Sequence, residues 1–332
     1  MMVSKYNAIA RAHSNIAFIK YWGNKNDELR LAANSSISMN LKDLYTTTQV
    51  EWSDNISDDV LSINRKQADE SARKRVSSHL QLIRDRFNVS KFATVNSINN
   101  FPMGTGIASS ASSFAALTLA GVEALGESMS EKELSALARR GSGSASRSIP
   151  AGIVEWHAGD TDETSYADTF TQSSHWDLVD VIAIISKHHK RTGSSAGHTT
   201  AGTSVLQSVR VESAAKRLED VKDAIVKKDF ELFADVVEED SNLMHAVMMT
   251  SRPPLFYWEA TSLEIMKTIR DERINNRLQV CYTLDAGPNV HCICIREHAE
   301  QVISLLQDIS SHIEIRTSSA GEGAHIVQSL NE

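Results

Sequence analysis

Cysteine is scarce in this chain: 332 residues carry three, Cys281, Cys292 and Cys294. An odd, clustered set gives no disulfide framework, and its spacing is not that of zinc ligands. Buried, reduced thiols on strands are expected. No run of about 18 apolar residues occurs, which excludes a membrane-spanning helix. Residues 1–7 hold no apolar stretch of the signal-peptide kind, so a cytoplasmic protein is expected. Basic charge is short as well. The formal net charge of −8 argues against a general nucleic-acid-binding surface but permits anion binding in a locally basic cleft. Repeats and low-complexity linkers are missing. What is there is 41% hydrophobic and 23% charged residues, a soluble globular composition with length for two lobes or one large domain.

The most informative stretch is Asn99-Asn100-Phe101-Pro102-Met103-Gly104-Thr105-Gly106-Ile107-Ala108-Ser109-Ser110-Ala111-Ser112-Ser113, which feeds the Ala- and Leu-rich segment 114–125. A small-residue loop entering a helix N-terminus offers unpaired N–H groups and the positive end of the helix dipole to an anion. Its other reading is a flexible loop capped by serine. It is not a P-loop, since no Gly-Lys-Ser/Thr follows.

Three further small-residue stretches occur, at 141–148, 192–198 and 318–324. Three of the four lie beside Lys or Arg, which suggests a cleft for a polyanion. Strands are expected around Ile9, at 15–20, 37–41, 47–52, 92–95, 153–156, 179–186, 278–284, 290–295 and 313–315. Helices are expected through Val76 to Ile83, 114–125, Leu134 to Arg140, Leu218 to Ile225, Phe233 to Met244 and Val302 to Leu306. Ser130 and Glu133 form a capping-box signature.

Asp285 ends a strand and opens a tight hairpin, a place from which a carboxylate aims into a cleft or serves an Asx turn. Lys20 ends an apolar strand, where it serves a site or snorkels. Arg73-Lys74-Arg75 reads as a solvated face or as cations over a site. His198 and His245 read as structural.

Taken together, Asn15 through Gly23, Asn34 to Ser38, Asn100 to Ser113, Arg140 to Ser148, Asp240 to Asn242, Met244 to Ala246 and Tyr282 to Asn289 give the chain a resemblance to a known family. It resembles the mevalonate diphosphate decarboxylases of the galactokinase–homoserine kinase–mevalonate kinase–phosphomevalonate kinase (GHMP) superfamily. The resemblance implies an α+β, two-lobed GHMP-kinase fold. An N-terminal ribosomal-protein-S5-like lobe would span 1–180 and carry the phosphate loop. A C-terminal ferredoxin-like α/β sandwich would span 181–332 and carry the catalytic aspartate, with a cleft between the two.

It further implies ATP-dependent decarboxylation of a 5-phosphorylated mevalonate, with Mg²⁺, in a homodimer. Asp285 would orient or deprotonate the 3-hydroxyl, Lys20 would hold Asp285 ionised, and Arg147 would grip the substrate carboxylate. Tyr21, Asn24, Arg75, Ser142, Ser144 and Ser195 would contact the rest of the substrate. Pro102, Gly104, Gly106, Ala108, Ser109, Ser110 and Ser112 would bind ATP, with Ser109 or Ser110 meeting the metal.

The pattern departs from the family at Asn24, where a lysine is usual, and at Ala196, where some bacterial members carry arginine. Losing two cationic contacts fits mevalonate 5-phosphate, giving isopentenyl phosphate, somewhat better than the 5-diphosphate, giving isopentenyl diphosphate. Lys25, Arg75, Lys190 or Arg191 are the residues that would otherwise restore the charge. The alternatives in function are a kinase of the same fold, disfavoured by Asp285 together with Arg147, and a non-catalytic binder on the same scaffold.

Overall fold

A computed structural model describes residues 6–101, 109–186 and 193–331, without the side chains of residues 194 and 195. The first part of the chain runs β1 (Asn7–Ile19), β2 (Asn24–Asn26), β3 (Leu31–Ala32), β4 (Ser36–Ser53), β5 (Val60–Ile63), β6 (Lys66–Gln67), α1 (Glu70–Phe87), β7 (Phe92–Asn99), α2 (Ser109–Glu123), α3 (Glu131–Gly141), a 3₁₀ segment (Gly143–Ser148), β8 (Ile153–Trp156) and β9 (Ala167–Thr171). It continues with β10 (Leu178–Ile184), α4 (Ser194–Thr200), α5 (Gln207–Lys227), α6 (Phe230–Thr250), α7 (Ala260–Asn276), β11 (Val280–Thr283), β12 (Val290–Ile295), α8 (Ala299–Ile309), β13 (Glu314–Ser319) and β14 (His325–Ile326).

Two sheets organise these elements. The first has the order β14-β1-β4-β7-β5-β6, with β8 and β9 extending from β4, and the second is β11-β12-β10-β13. The second sheet is antiparallel throughout, with β10 inside it as its apolar sequence requires. We propose a lobe division at residues 180/181, close to the entry into the second sheet. β14 crosses back to pair with β1, Ala10 opposite Ile326.

The residues expected to form two strands, 37–41 and 47–52, form one strand, β4. Its register against β1 slips between His13 and Ser14, which pair with Tyr45 and Leu41. The extra residues form a bulge that bends the strand instead of ending it. Lys42 and Asp43, exposed at that bend, break the alternation that marks a strand in sequence. β9 and α7 were not expected from the sequence. α2 starts at Ser109 rather than 114, so the serines of the anion-loop motif form its first turns.

Three apolar clusters hold the layers together. α2 and α1 pack on the first sheet through Leu80, Ile83, Phe114 and Ala120. Ile182 and Ile293 of the second sheet meet Phe18, Ile37 and Met39 of the first, beside Phe233 and Val237 of α6. The rings of Phe18 and Phe233 meet edge-on with centroids 4.9 Å apart. The opposite face of the second sheet packs on α7 and α8 through Val181, Ile269, Cys292 and Leu306. All three cysteines are free and buried on β11 and β12, as expected. Among the described residues no helix is long and apolar enough to cross a membrane.

Candidate active site

The site is built where β1 ends between the two sheets. Lys20, one residue past β1, is buried, and its Nζ lies 2.7 Å from Asp285 Oδ1. Its backbone is clamped by helices that follow some 190 residues later in the chain. The Lys20 N–H donates to Asp240 Oδ2 at 2.6 Å, and its carbonyl accepts from Arg210 Nη2 at 2.7 Å and Asn34 Nδ2 at 3.1 Å. Asp240 accepts in turn from Arg217 Nε at 2.9 Å. Asp240, Arg210 and Arg217 are all buried. Breaking such a buried pair from one side leaves an uncompensated charge. Asp240→Ala is therefore expected to lower stability by about 3–5 kcal/mol, read as a shifted urea midpoint.

Asp285 stands in the connection between β11 and β12. That connection is pinned at three points. Leu284 N donates to Ser241 Oγ at 3.0 Å, Gly287 N donates to Asp285 O at 2.8 Å, and Asn289 Oδ1 accepts from Ile185 N at 2.8 Å. Burial pushes the Asp285 carboxyl up. The charges of Lys20, His291 and Arg147, with the Lys20 hydrogen bond, outweigh that, so it titrates below its ordinary range. The carboxylate is thus an ionised acceptor held in fixed geometry, which a general base requires.

Arg147 lies on the 3₁₀ segment and is 3% exposed. It donates to Ser36 Oγ at 2.6 Å, Ser38 Oγ at 3.0 Å and Asn15 Oδ1 at 3.3 Å. Asn15 is itself fixed by donation to Ser148 Oγ at 2.8 Å and Ser144 O at 3.1 Å. Among the described residues Arg147 forms no ion pair. Burial lowers its pKa to about 10, partly offset by Asp285 and Tyr21. A buried guanidinium whose hydrogen-bond partners are all neutral suits a carboxylate ligand.

The Tyr21 ring lies between His198, stacked at 4.1 Å, and Trp156, edge-on at 4.7 Å. Gly143 leaves room for it, since a Cβ there would sit 2.5 Å from the ring. The Tyr21 hydroxyl donates to Asn24 Oδ1, and Asn24 Nδ2 donates to Asp27 Oδ1 at 2.8 Å. Lys25 pairs with exposed Asp160 at 2.5 Å. Arg75 is exposed, donates to Gly141 O at 3.0 Å and covers the Phe114 ring. Ser142 Oγ lies 3.0 Å from Ser110 Oγ, which joins the 3₁₀ region to the first turn of α2.

Ser109 and Ser110 line a cavity of about 200 Å³ with Arg75, Ser97, Asn99 and Phe114. The Ser112 side chain lies apart from that cavity. It is fully buried, bonds Thr46 Oγ1 at 2.7 Å and faces β4, away from that cavity. Pro102, Gly104, Gly106, Ala108, Lys190, Arg191 and the Ser195 side chain lie outside the described residues.

Both histidines pack against aromatic rings. His198 Nδ1 accepts from Gly23 N at 3.0 Å. His245 stacks on Trp258 at 4.9 Å, and burial, then Lys20, lowers its pKa to about 3. Reading the sequence missed Arg210 and Arg217, which at helical spacing look like a solvated face, and the cavity at Ser97 and Asn99. It also passed over Asn15, Ser36 and Ser38 as a cage for Arg147, although all three lie inside the matched motifs.

Residues 12–167 match the family described as diphosphomevalonate decarboxylase-like N-terminal domain, and residues 180–329 match the mevalonate 5-diphosphate decarboxylase C-terminal domain. The diphosphomevalonate decarboxylase of Debaryomyces hansenii is 38% identical over 329 residues, covering 93% of this chain and 84% of the relative. The crystal structure of mevalonate diphosphate decarboxylase from Staphylococcus aureus is similar at a TM-score of 0.92 and 36% identity, over 97% of this chain and 98% of that one. A solved complex of MDDEF with MVAPP, AMPPCP and magnesium superposes equally well, at a TM-score of 0.92 and 36% identity over 97% and 99% of the two chains. With both halves matched in order and the GHMP-kinase fold shared along nearly its whole length, the chain belongs to the diphosphomevalonate decarboxylase family of ATP-using carboxy-lyases.

Proposed function

We propose that this chain phosphorylates the tertiary 3-hydroxyl of a 5-phosphorylated mevalonate with ATP and then releases phosphate and CO₂, leaving an isopentenyl product. The observation that carries the reading is the pairing of Lys20 with Asp285 at 2.7 Å next to a buried Arg147 that has only neutral partners. Asp285 takes the hydroxyl proton as the oxygen attacks the γ-phosphoryl group. The new phosphate leaves C3 with its bonding pair. The C1–C2 pair then becomes the C2–C3 double bond and C1 departs as CO₂. Lys20 keeps Asp285 ionised before attack, and Arg147 orients the carboxylate that is to leave.

Ser109, Ser110 and the N–H groups of the first turn of α2 suit the ATP phosphates, and the adjacent cavity is roomy and apolar enough for a base. The AMPPCP and magnesium bound by the similar MDDEF support ATP and Mg²⁺ as co-substrate and cofactor. Ser109 or Ser110 would supply the metal with a hydroxyl ligand. The metal neutralises developing phosphate charge. Tyr21, Asn24, Arg75, Ser142, Ser144 and Ser195 would contact the substrate phosphate and hydroxyls, although Arg75 also lines the cavity beside α2. A cytoplasmic homodimer is part of this proposal, and sedimentation of the purified chain checks the dimer.

Mevalonate 5-phosphate is the substrate we favour. Asn24 is neutral and already engaged by Tyr21 and Asp27, and Lys25 is turned to Asp160, so neither adds a free cation for a second phosphate. Each missing charge-assisted contact is worth about 1.5–3 kcal/mol. Steady-state kinetics with both substrates is expected to give a higher kcat/KM for the monophosphate. A clearly higher value for the diphosphate would assign the chain the substrate in its relatives' name.

A further inference from the structure

One buried ionisable pair has no place in the chemistry above. Asp180 on β10 and His291 on β12 are 0% and 2% exposed, and Asp180 Oδ2 accepts from His291 Nδ1 at 2.6 Å. Their face of the second sheet carries Leu178, Ile182, Ile184 and Ile293, with Thr283 beside His291 and Ser318 beside Asp180. An ion pair in such a place costs desolvation that a pair of apolar side chains avoids. Its hydrogen bonding is also unfinished. Among the described residues Asp180 Oδ1, His291 Nε2 and Thr283 Oγ1 are buried without partners.

The sheet register connects these atoms to the site. Thr283 of β11 sits opposite His291 of β12, and Asp285 follows Thr283 by two residues. The open end of the pair therefore lies at the strand end that carries Asp285. Lys20 does most to draw the Asp285 carboxyl down, and His291 and Arg147 act in the same direction.

We propose that Asp180 and His291 form a positioning pair for Asp285, with Asp180 fixing the imidazole so that His291 supports the ionised carboxylate from the side of the sheet while Lys20 holds it from the cleft. This rests on Asp285 acting as the base. The role explains why a buried ionisable pair is kept beside the strand end that carries Asp285. Lys20 makes one hydrogen bond to Asp285 Oδ1, and an imidazole fixed by Asp180 behind the strand holds the connection that aims the carboxylate when substrate enters and water leaves.

The groups around this unit are defined. Asp285 faces Lys20 from the end of β1, Arg147 from the 3₁₀ segment, His245 from α6 and His291 from β12. His291 faces Asp180 from β10 and Asp285 from the β11–β12 connection. Beyond β10, Arg316 of β13 lies opposite Ile182 and pairs with Glu314.

The test is the pH profile of kcat/KM, measured by ADP release, for two variants. His291→Asn keeps an amide N–H for Asp180 and removes the Nε2 end. Asp180→Leu with His291→Met replaces the whole pair by apolar side chains, a change that such sites usually tolerate in stability. Both are expected to move the acid limb to higher pH by about one unit and to lower kcat several-fold, with KM for ATP unchanged. Folded variants that keep the wild-type acid limb and kcat would overturn the proposal and leave the pair a packing feature. Asp285→Asn serves as the control. If it retained the wild-type profile, the assignment of the base would fail, independently of His291.

Discussion

Asp285→Asn is expected to lower kcat by roughly 10²–10⁴-fold, with both ADP and CO₂ formation lost together and the fold unchanged. Asparagine is nearly isosteric and keeps an acceptor oxygen for Lys20, so a collapse of activity in a folded protein reports the missing proton acceptor. The Lys20 ammonium, 2.7 Å away, then has no counter-charge, and ATP binding at the first turn of α2 is unaffected. The pH dependence follows from the same pair. The folded-state pKa of Asp285 is depressed below that of the unfolded chain. Its contribution to stability is therefore fully present above the unfolded value, near 4, and fades as pH falls through the folded one. The base form accordingly persists through neutral and mildly acidic pH. Activity lost on mild acidification would have to come from another group.

Arg147→Lys is the second large effect. Lysine keeps the charge but loses the planar fork, and it cannot reach Ser36, Ser38 and the substrate at once. Two charge-assisted hydrogen bonds at about 1.5–3 kcal/mol each predict a fall in kcat/KM of roughly 10²–10⁴-fold. The split between parameters is informative. Loss of a ground-state grip raises KM for the phosphorylated mevalonate and leaves KM for ATP alone. Loss of carboxylate alignment lowers the yield of CO₂ per ADP. A variant with wild-type kcat/KM would remove Arg147 from the site.

Much of this was legible in the sequence because the chemistry sits in contiguous motifs. Lys20 with Tyr21, the serines 109–113, the 141–148 segment and Asp285 each occupy one short stretch, and each stretch lies where a strand or helix ends. Residues clustered at element ends converge on a cleft, so their identity and order carried the site. What stayed hidden depends on distant partners. Asp240 meets the backbone of Lys20 across 220 residues, and no local pattern announces that a helical Asp and two Arg will turn inward. The bend in β4 is invisible for a related reason. The bulge belongs to the pairing of two strands, whereas the sequence of β4 alone shows Lys42 and Asp43 and reads as a break. The orientation of Ser112 was not legible from its place among the serines. Serines at 109 and 110 face the cavity, and on a helix two to three residues of further rotation carry Ser112 round to the sheet. The Asp180 and His291 pair was equally unreadable, since it depends on the pairing of β10 with β12, strands that lie over a hundred residues apart in the chain.

The central claim is that phosphorylation by ATP is coupled in this one site to the loss of C1. Its most direct test incubates the purified chain with ATP, Mg²⁺ and mevalonate 5-phosphate, and in parallel the 5-diphosphate, each labelled at C1, and counts labelled CO₂ against ADP. One CO₂ per ADP from at least one of the two, abolished by Asp285→Asn, is the predicted result. ADP formed without labelled CO₂ would make the chain a kinase on this fold and contradict the account.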